Sequence, residues 1–88
     1  MENDKKEFKK YYTDEDLLEI KAWYDRHKAD IPETLQLNAA TFYKDLRGTV
    51  ESYFMVYETH GLNPALSGHY YQLYLIRNKL REMGLVND

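Results

Sequence analysis

Tyrosine and arginine side chains recur at helical spacing toward the carboxyl end of this 88-residue chain. The members of the group are Tyr70, Tyr74, Arg77 and Arg81. Because they are separated by four, three and four residues, a single helix would present them on one continuous face. Stacked aromatic rings and guanidinium groups can bind an acidic protein surface or a nucleic-acid strand. The same side chains also commonly cover the edge of a helical bundle.

A second pair on the same predicted helix lies on another side. Tyr71 and Leu75 are four residues apart and point away from the expected core seam. The helix is therefore either central to the fold or partly exposed to a partner. Aromatic residues and arginine are enriched at protein interfaces. Together with the Tyr/Arg face, this pair forms the predicted partner-binding set, for self-association or for another protein.

Catalytic and metal-binding patterns are weak. No two of the histidines His27, His60 and His69 have the three- or four-residue spacing that places two metal ligands on one helix face. The acids at positions 14–16 and 19 fall in an exposed first helical turn, whereas a general acid needs an apolar pocket. Phosphate-loop and nucleophile motifs are missing from the sequence. The sequence predicts a non-enzymatic protein with no catalytic residue, no metal site and no cofactor.

Composition narrows the class of protein and its setting. The 12 basic and 15 acidic residues give a net charge of −3, which disfavours non-specific binding to nucleic acid. There is no cysteine, so disulfides and thiolate metal sites are excluded. The longest apolar run, residues 53–57, is far shorter than the roughly 20 residues that span a bilayer. The basic amino terminus has no apolar segment behind it, so we expect a cytoplasmic protein with no membrane span.

The first helix has a clear beginning. Residues 1–12 mix charges without a helical stripe and predict a mobile tail, which leaves residues 13–88 as a single domain. Thr13 is a good N-cap with Asp16 at the capping-box position. An apolar stripe follows, formed by Leu17, Ile20, Trp23, Tyr24 and His27. The helix should stop before Pro32, near residues 28–30. The sequence allows Trp23 a place in the core or on a contact surface.

The second helix lies between residues 38 and 59, and its start is open. Asn38 and Asp45 are both suitable caps. The later cap avoids Gly48, which costs about 1 kcal/mol inside a helix, but the stripe from Phe42 onward favours the early start. His60 and Gly61 mark its end. Before it, residues 31–38 predict an extended connection held by two leucines, with a two-stranded element as the alternative.

The third helix follows Asn63 and Pro64, starting at Pro64 or at Ser67. Its core seam is His69, Leu73, Ile76, Leu80 and Met83, with alternating steps of four and three residues. Gly84 followed by Leu85 resembles a Schellman ending. The predicted fold is thus all-α, a compact bundle of three main helices with a short fourth turn at residues 64–67.

Several short features together resemble an uncharacterised family of short all-α bacterial proteins. They are Trp23, the Ile31-Pro32-Glu33 turn leading to Leu37, Asp45, Val50-Glu51-Ser52 and the closing segment 73–80. The resemblance covers roughly residues 14–83. In that pattern a histidine follows the Val-Glu-Ser stretch and an arginine precedes the closing leucines, where this chain has Tyr53 and Gln72. The resemblance implies no known activity.

The leading hypothesis is a small protein-interaction module that uses the Tyr/Arg face and the Tyr71/Leu75 pair of the third helix to bind itself or another protein. The alternative is an accessory nucleic-acid-binding or regulatory domain that uses the Tyr/Arg face and the lysines of the tail. The acidic balance of the chain disfavours the alternative.

Overall fold

A computed structural model of the chain describes residues 12–88. The elements in order are α1 (Asp14–His27), β1 (Leu35–Gln36), β2 (Phe42–Tyr43), α2 (Leu46–His60), a 3-10 turn (Pro64–Leu66) and α3 (Ser67–Glu82). Three main helices and a short fourth turn confirm the predicted small, mostly α fold. Of the predicted tail, only Tyr12 lies within the described residues, and its ring is buried.

Helix α1 begins as its sequence predicts. The Thr13 hydroxyl accepts a hydrogen bond from the Asp16 amide at 3.2 Å, and the Asp16 carboxylate accepts one from the Thr13 amide at 2.9 Å. This reciprocal pair satisfies two amide groups that have no partner within the helix. The stripe is buried from Leu17 to Tyr24, whereas His27 is partly buried. Trp23, only 3% exposed, belongs to the core. The helix ends at His27, close to the predicted stop.

A short hairpin replaces the isolated connection that the sequence favoured. Strands β1 and β2 pair antiparallel, with Leu35 opposite Tyr43 and Gln36 opposite Phe42. The Asn38 side chain accepts hydrogen bonds from the amides of residues 40 and 41, both at 2.9 Å, which closes the turn. Leu35 is buried as expected, but Phe42, assigned to the second helix, is an exposed strand residue.

Helix α2 begins at Leu46, so the favoured start at Asn38 was wrong and the Asp45 cap was the correct alternative. The Asp45 carboxylate accepts a hydrogen bond from the Gly48 amide at 3.1 Å. A Cβ atom added at Gly48 would lie 2.2 Å from the other carboxylate oxygen of Asp45. Gly48 therefore leaves space for the Asp45 side chain that caps the helix. Because α2 begins at Leu46, Gly48 lies in its first turn and not in the middle of a longer helix.

Replacing glycine by alanine inside a helix usually raises the free energy of unfolding by about 1 kcal/mol. We expect Gly48→Ala to lack this stabilisation. The new methyl group displaces the Asp45 carboxylate, and losing such a cap costs about 1 kcal/mol. In the Asp45→Ala background, where the cap is already gone, Gly48→Ala should instead stabilise the chain. Urea unfolding of the four chains measures this coupling. A clear stabilisation by Gly48→Ala alone would contradict it.

Helix α3 is the central element of the fold. Side-chain contacts show that α1 and α3 run in the same direction and α2 runs opposite to both. Along α3, only Gly68, Tyr71 and Glu82 are exposed. The predicted seam is correct for Leu73, Ile76 and Leu80, whereas Met83 is half exposed and His69 is partly buried.

A Schellman motif ends α3, as its sequence predicts. The amides of Leu85 and Gly84 donate to the carbonyls of Leu80 and Arg81, both at 3.0 Å. Gly84 has a φ of 76°, the left-handed geometry that the motif requires. The chain therefore turns sharply after α3, and Val86 becomes buried.

Candidate interaction surface

The predicted Tyr/Arg face is largely internal. Tyr70, Tyr74 and Arg77 are all buried, and Arg77 is only 7% exposed. Helical spacing correctly put these residues on one side of α3, but α1, α2 and Tyr12 cover that side. They cannot offer a surface to a partner in this fold. Arg81, at the end of the face, is half-buried.

The two buried tyrosines form an aromatic cluster with Tyr12. The Tyr12 ring lies edge-on to Tyr70 at 5.8 Å between centroids and stacks on Tyr74 at 5.6 Å. The Tyr74 hydroxyl donates to the main-chain carbonyl of Asp16 at 3.1 Å. Burial raises the pKa of Tyr74, and the nearby charge of Asp16 raises it further. These rings therefore join Tyr12, two residues before the start of α1, to the helix α3.

Arg77 packs its guanidinium group 5.0 Å from the centre of the Tyr74 ring, a cation–π distance. Burial, and after it the positive charge of Arg81, lowers the pKa of Arg77 to about 10. The carboxylate of Asp88 opposes part of this effect. The arginine thus has a structural place against an aromatic ring.

The other predicted pair retains access to solvent. Tyr71 is 39% exposed, whereas Leu75 is half-buried and packs against the core. Beside Leu75 a groove of about 220 Å³ separates α3 from the turn of the hairpin. Leu37 and Asn38 form its hairpin side, and Lys79 and Glu82 lie along α3. The hairpin side is not part of the predicted set, because the sequence favoured an extended connection over the two-stranded alternative.

A larger cleft of about 320 Å³ lies between α1 and α2. At its floor the Tyr24 hydroxyl donates to Glu51 at 2.8 Å, and the ammonium group of Lys21 lies 5.9 Å from the Phe54 ring centre. Burial and the hydrogen bond to Glu51 raise the pKa of Tyr24. Charges of both signs surround the cleft, which therefore has no single electrostatic preference.

A polar cluster joins the hairpin, α2 and α3. The Tyr43 hydroxyl donates to the Gln72 side chain at 2.5 Å, and the Tyr53 ring stacks on His69 with centroids 4.6 Å apart. Burial, and after it the neighbouring Tyr53, raises the pKa of Tyr43 to about 12. Tyr43 therefore keeps its proton at neutral pH and serves as a hydrogen-bond donor. Tyr53 and Gln72, the two departures from the family pattern, both lie beside it.

Two features are absent from residues 12–88. No group of three or more His, Asp or Glu side chains there could hold a metal ion. None of the helices in that range is long and apolar enough to cross a membrane.

Comparison with known proteins identifies one family. No curated protein and no solved structure matches the chain. A domain of unknown function (DUF6965) matches residues 15–82, a range that includes all three main helices except Asp14, the first residue of α1. The chain therefore belongs to the DUF6965 family.

Proposed function

We propose that the protein is a non-enzymatic interaction module, and that the exposed side of α3 around Tyr71 and Leu75 is its contact surface. The observation that carries the proposal is the exposure of Tyr71 on a helix that is otherwise almost enclosed. A bacterial origin and a cytoplasmic location are part of the same proposal. They are supported by the family resemblance and by the lack of cysteine.

Rigidity and size favour a protein partner over a small molecule. Leu75 packs against the core, which fixes the position of the backbone that carries the pair. Tyrosine adds a large contact area with few rotatable bonds, which lowers the entropic cost of binding. The adjacent groove, at about 220 Å³, is smaller than the roughly 300–1,000 Å³ typical of small-molecule sites. It is the right size for a side chain of a protein partner.

Charge complementarity favours a second copy of the chain as the occupant. Along α3 the groove has one cation and one anion, Lys79 and Glu82, which lie 3.9 Å apart as a solvent-accessible ion pair within the chain and can exchange partners. In a two-fold dimer, Lys79 of one copy can lie opposite Glu82 of the other. The nucleic-acid alternative has less support, because Tyr74 and Arg77 are buried and the net charge is −3.

Molar mass by light scattering, measured from low to high micromolar concentration, tests the proposal. We expect the chain to form a dimer and Tyr71→Glu to shift it to the monomer, because the substitution places a charge at the contact. Leu18→Glu is the matched control, since Leu18 is 61% exposed on α1 and lies outside the surface. It should leave the dimer intact.

A chain that stays monomeric at the highest concentration would overturn self-association. A photo-crosslinking amino acid at position 71, with position 18 as control, then tests for a different protein partner in cells. Equal crosslinking from the two positions would contradict the proposal that the side of α3 around Tyr71 is a contact surface.

A further inference from the structure

The carboxyl ends of α1 and α3 meet at Asp88. Arg26 Nη2 lies 2.8 Å from one carboxylate oxygen of Asp88, and His27 Nε2 lies 2.7 Å from the other. From α3, Arg81 Nε donates to the main-chain carbonyl oxygen of Asp88 at 3.2 Å. Three basic side chains from two helices therefore converge on one acidic residue.

The segment that ends in Asp88 is attached at a second point. Val86 is only 6% exposed and belongs to the core cluster. The turn at Gly84 brings it back onto the bundle. An aliphatic side chain and, two residues later, a carboxylate thus occupy two separate subsites, one apolar and one basic.

The ionic contact is exchangeable. The side chains of Arg26 and Asp88 are 57% and 56% exposed, so water and salt weaken the attraction between them. Hydrogen bonds from Arg26 and His27 lower the pKa of Asp88, so its carboxylate is charged at neutral pH. A competing carboxylate can therefore replace it without disturbing the bundle.

We propose that the ends of α1 and α3 form a binding cleft for an acidic peptide, which residues 84–88 occupy in cis. The peptide would place an aliphatic side chain at the Val86 subsite and, two residues later, a carboxylate between Arg26 and His27. A tethered occupant has an effective concentration of roughly millimolar, so the closed chain binds competitors weakly. This cleft is formed by different residues from the Tyr71 surface and does not depend on it.

The test uses the full chain opened by Val86→Ser with Asp88→Ala. The probe is a fluorescent, C-terminally amidated peptide with the sequence of residues 82–88, so that its aspartate side chain supplies the carboxylate at position 88. We expect saturable binding to the opened chain and at least about tenfold weaker binding to the unaltered one. Asparagine at the last position of the peptide should weaken binding by about tenfold or more, since charged hydrogen bonds are lost.

Two further variants identify the basic subsite. Arg26→Gln in the opened chain should abolish binding, whereas Lys28→Gln should retain it, because Lys28 is paired with Asp25. If the opened chain fails to fold by circular dichroism, Asp88→Ala alone is used. The NMR signals of the Arg26 and His27 side chains should then shift on adding peptide. Equal binding by the two peptides, or no response of Arg26 and His27, would overturn the proposal.

Discussion

Replacing Trp23 by alanine should lower the free energy of unfolding by about 3–5 kcal/mol. The indole is only 3% exposed and contacts the His27 ring at 5.4 Å between centroids. Removing the indole would leave a cavity in the hydrophobic core beside α1, and the surrounding side chains can fill it only in part. Total stability for a domain of this length is about 4–13 kcal/mol, so a large part would be lost.

Urea unfolding followed by far-ultraviolet circular dichroism measures the effect, since the chain has one tryptophan and its fluorescence is lost with the substitution. Leu18→Ala, on the exposed side of the same helix, should change stability by less than about 0.5 kcal/mol. Trp23→Phe should cost less than the alanine, because the indole N–H has no hydrogen-bond partner among residues 12–88. A loss below about 1 kcal/mol for Trp23→Ala would contradict its place in the core.

Alkaline pH should destabilise the protein through its buried tyrosines. Burial is the main cause that raises the pKa of Tyr24, Tyr43, Tyr57 and Tyr74. Below about pH 10 these hydroxyls are protonated in both states, so their contribution to stability is complete. Above it the unfolded chain loses these protons and the folded chain keeps them. Stability therefore falls as pH rises, until the folded-state pKa is reached, about 12 for Tyr43.

Urea unfolding at several pH values between about 9 and 11.5 measures the fall, which is at most about 1.4 kcal/mol per pH unit for each hydroxyl. Arg77 acts in the opposite sense, because its pKa is lowered to about 10 in the folded chain. Tyr43→Phe isolates the tyrosine contribution, since it should make the decline with pH less steep. A stability that stays constant across this range, with the same slope in Tyr43→Phe, would refute the prediction.

Local signals predicted the parts of the fold that depend on a few adjacent residues. Thr13 with Asp16 located the start of α1, and Gly84 with Leu85 located the end of α3. Where two local signals competed, before α2, the hydrogen bond from the Gly48 amide to Asp45 decided the start. The apolar stripe had been given more weight than this cap, which caused the error.

Contacts between residues far apart in the sequence could not be predicted from local sequence patterns. Each strand of the hairpin has only two residues, too few for an alternating pattern to be recognised. Helical spacing grouped Tyr74 with Arg77 correctly, but it cannot show that Tyr12 and α1 cover that face. Asp88 was missed as a functional candidate because its partners Arg26 and His27 lie about 60 positions earlier in the chain.

The central place of α3 has a consequence for synthesis. Both other helices bury their apolar sides against a helix that follows them in the chain. While the ribosome makes residues 67–82, Leu17, Ile20 and Val50 have no complete core to enter. At the usual 5–20 residues per second, making the 16 residues of α3 takes roughly one to three seconds. During that interval the apolar faces of α1 and α2 lack their partner helix, so the complete core can form only after the last helix of the bundle has been made.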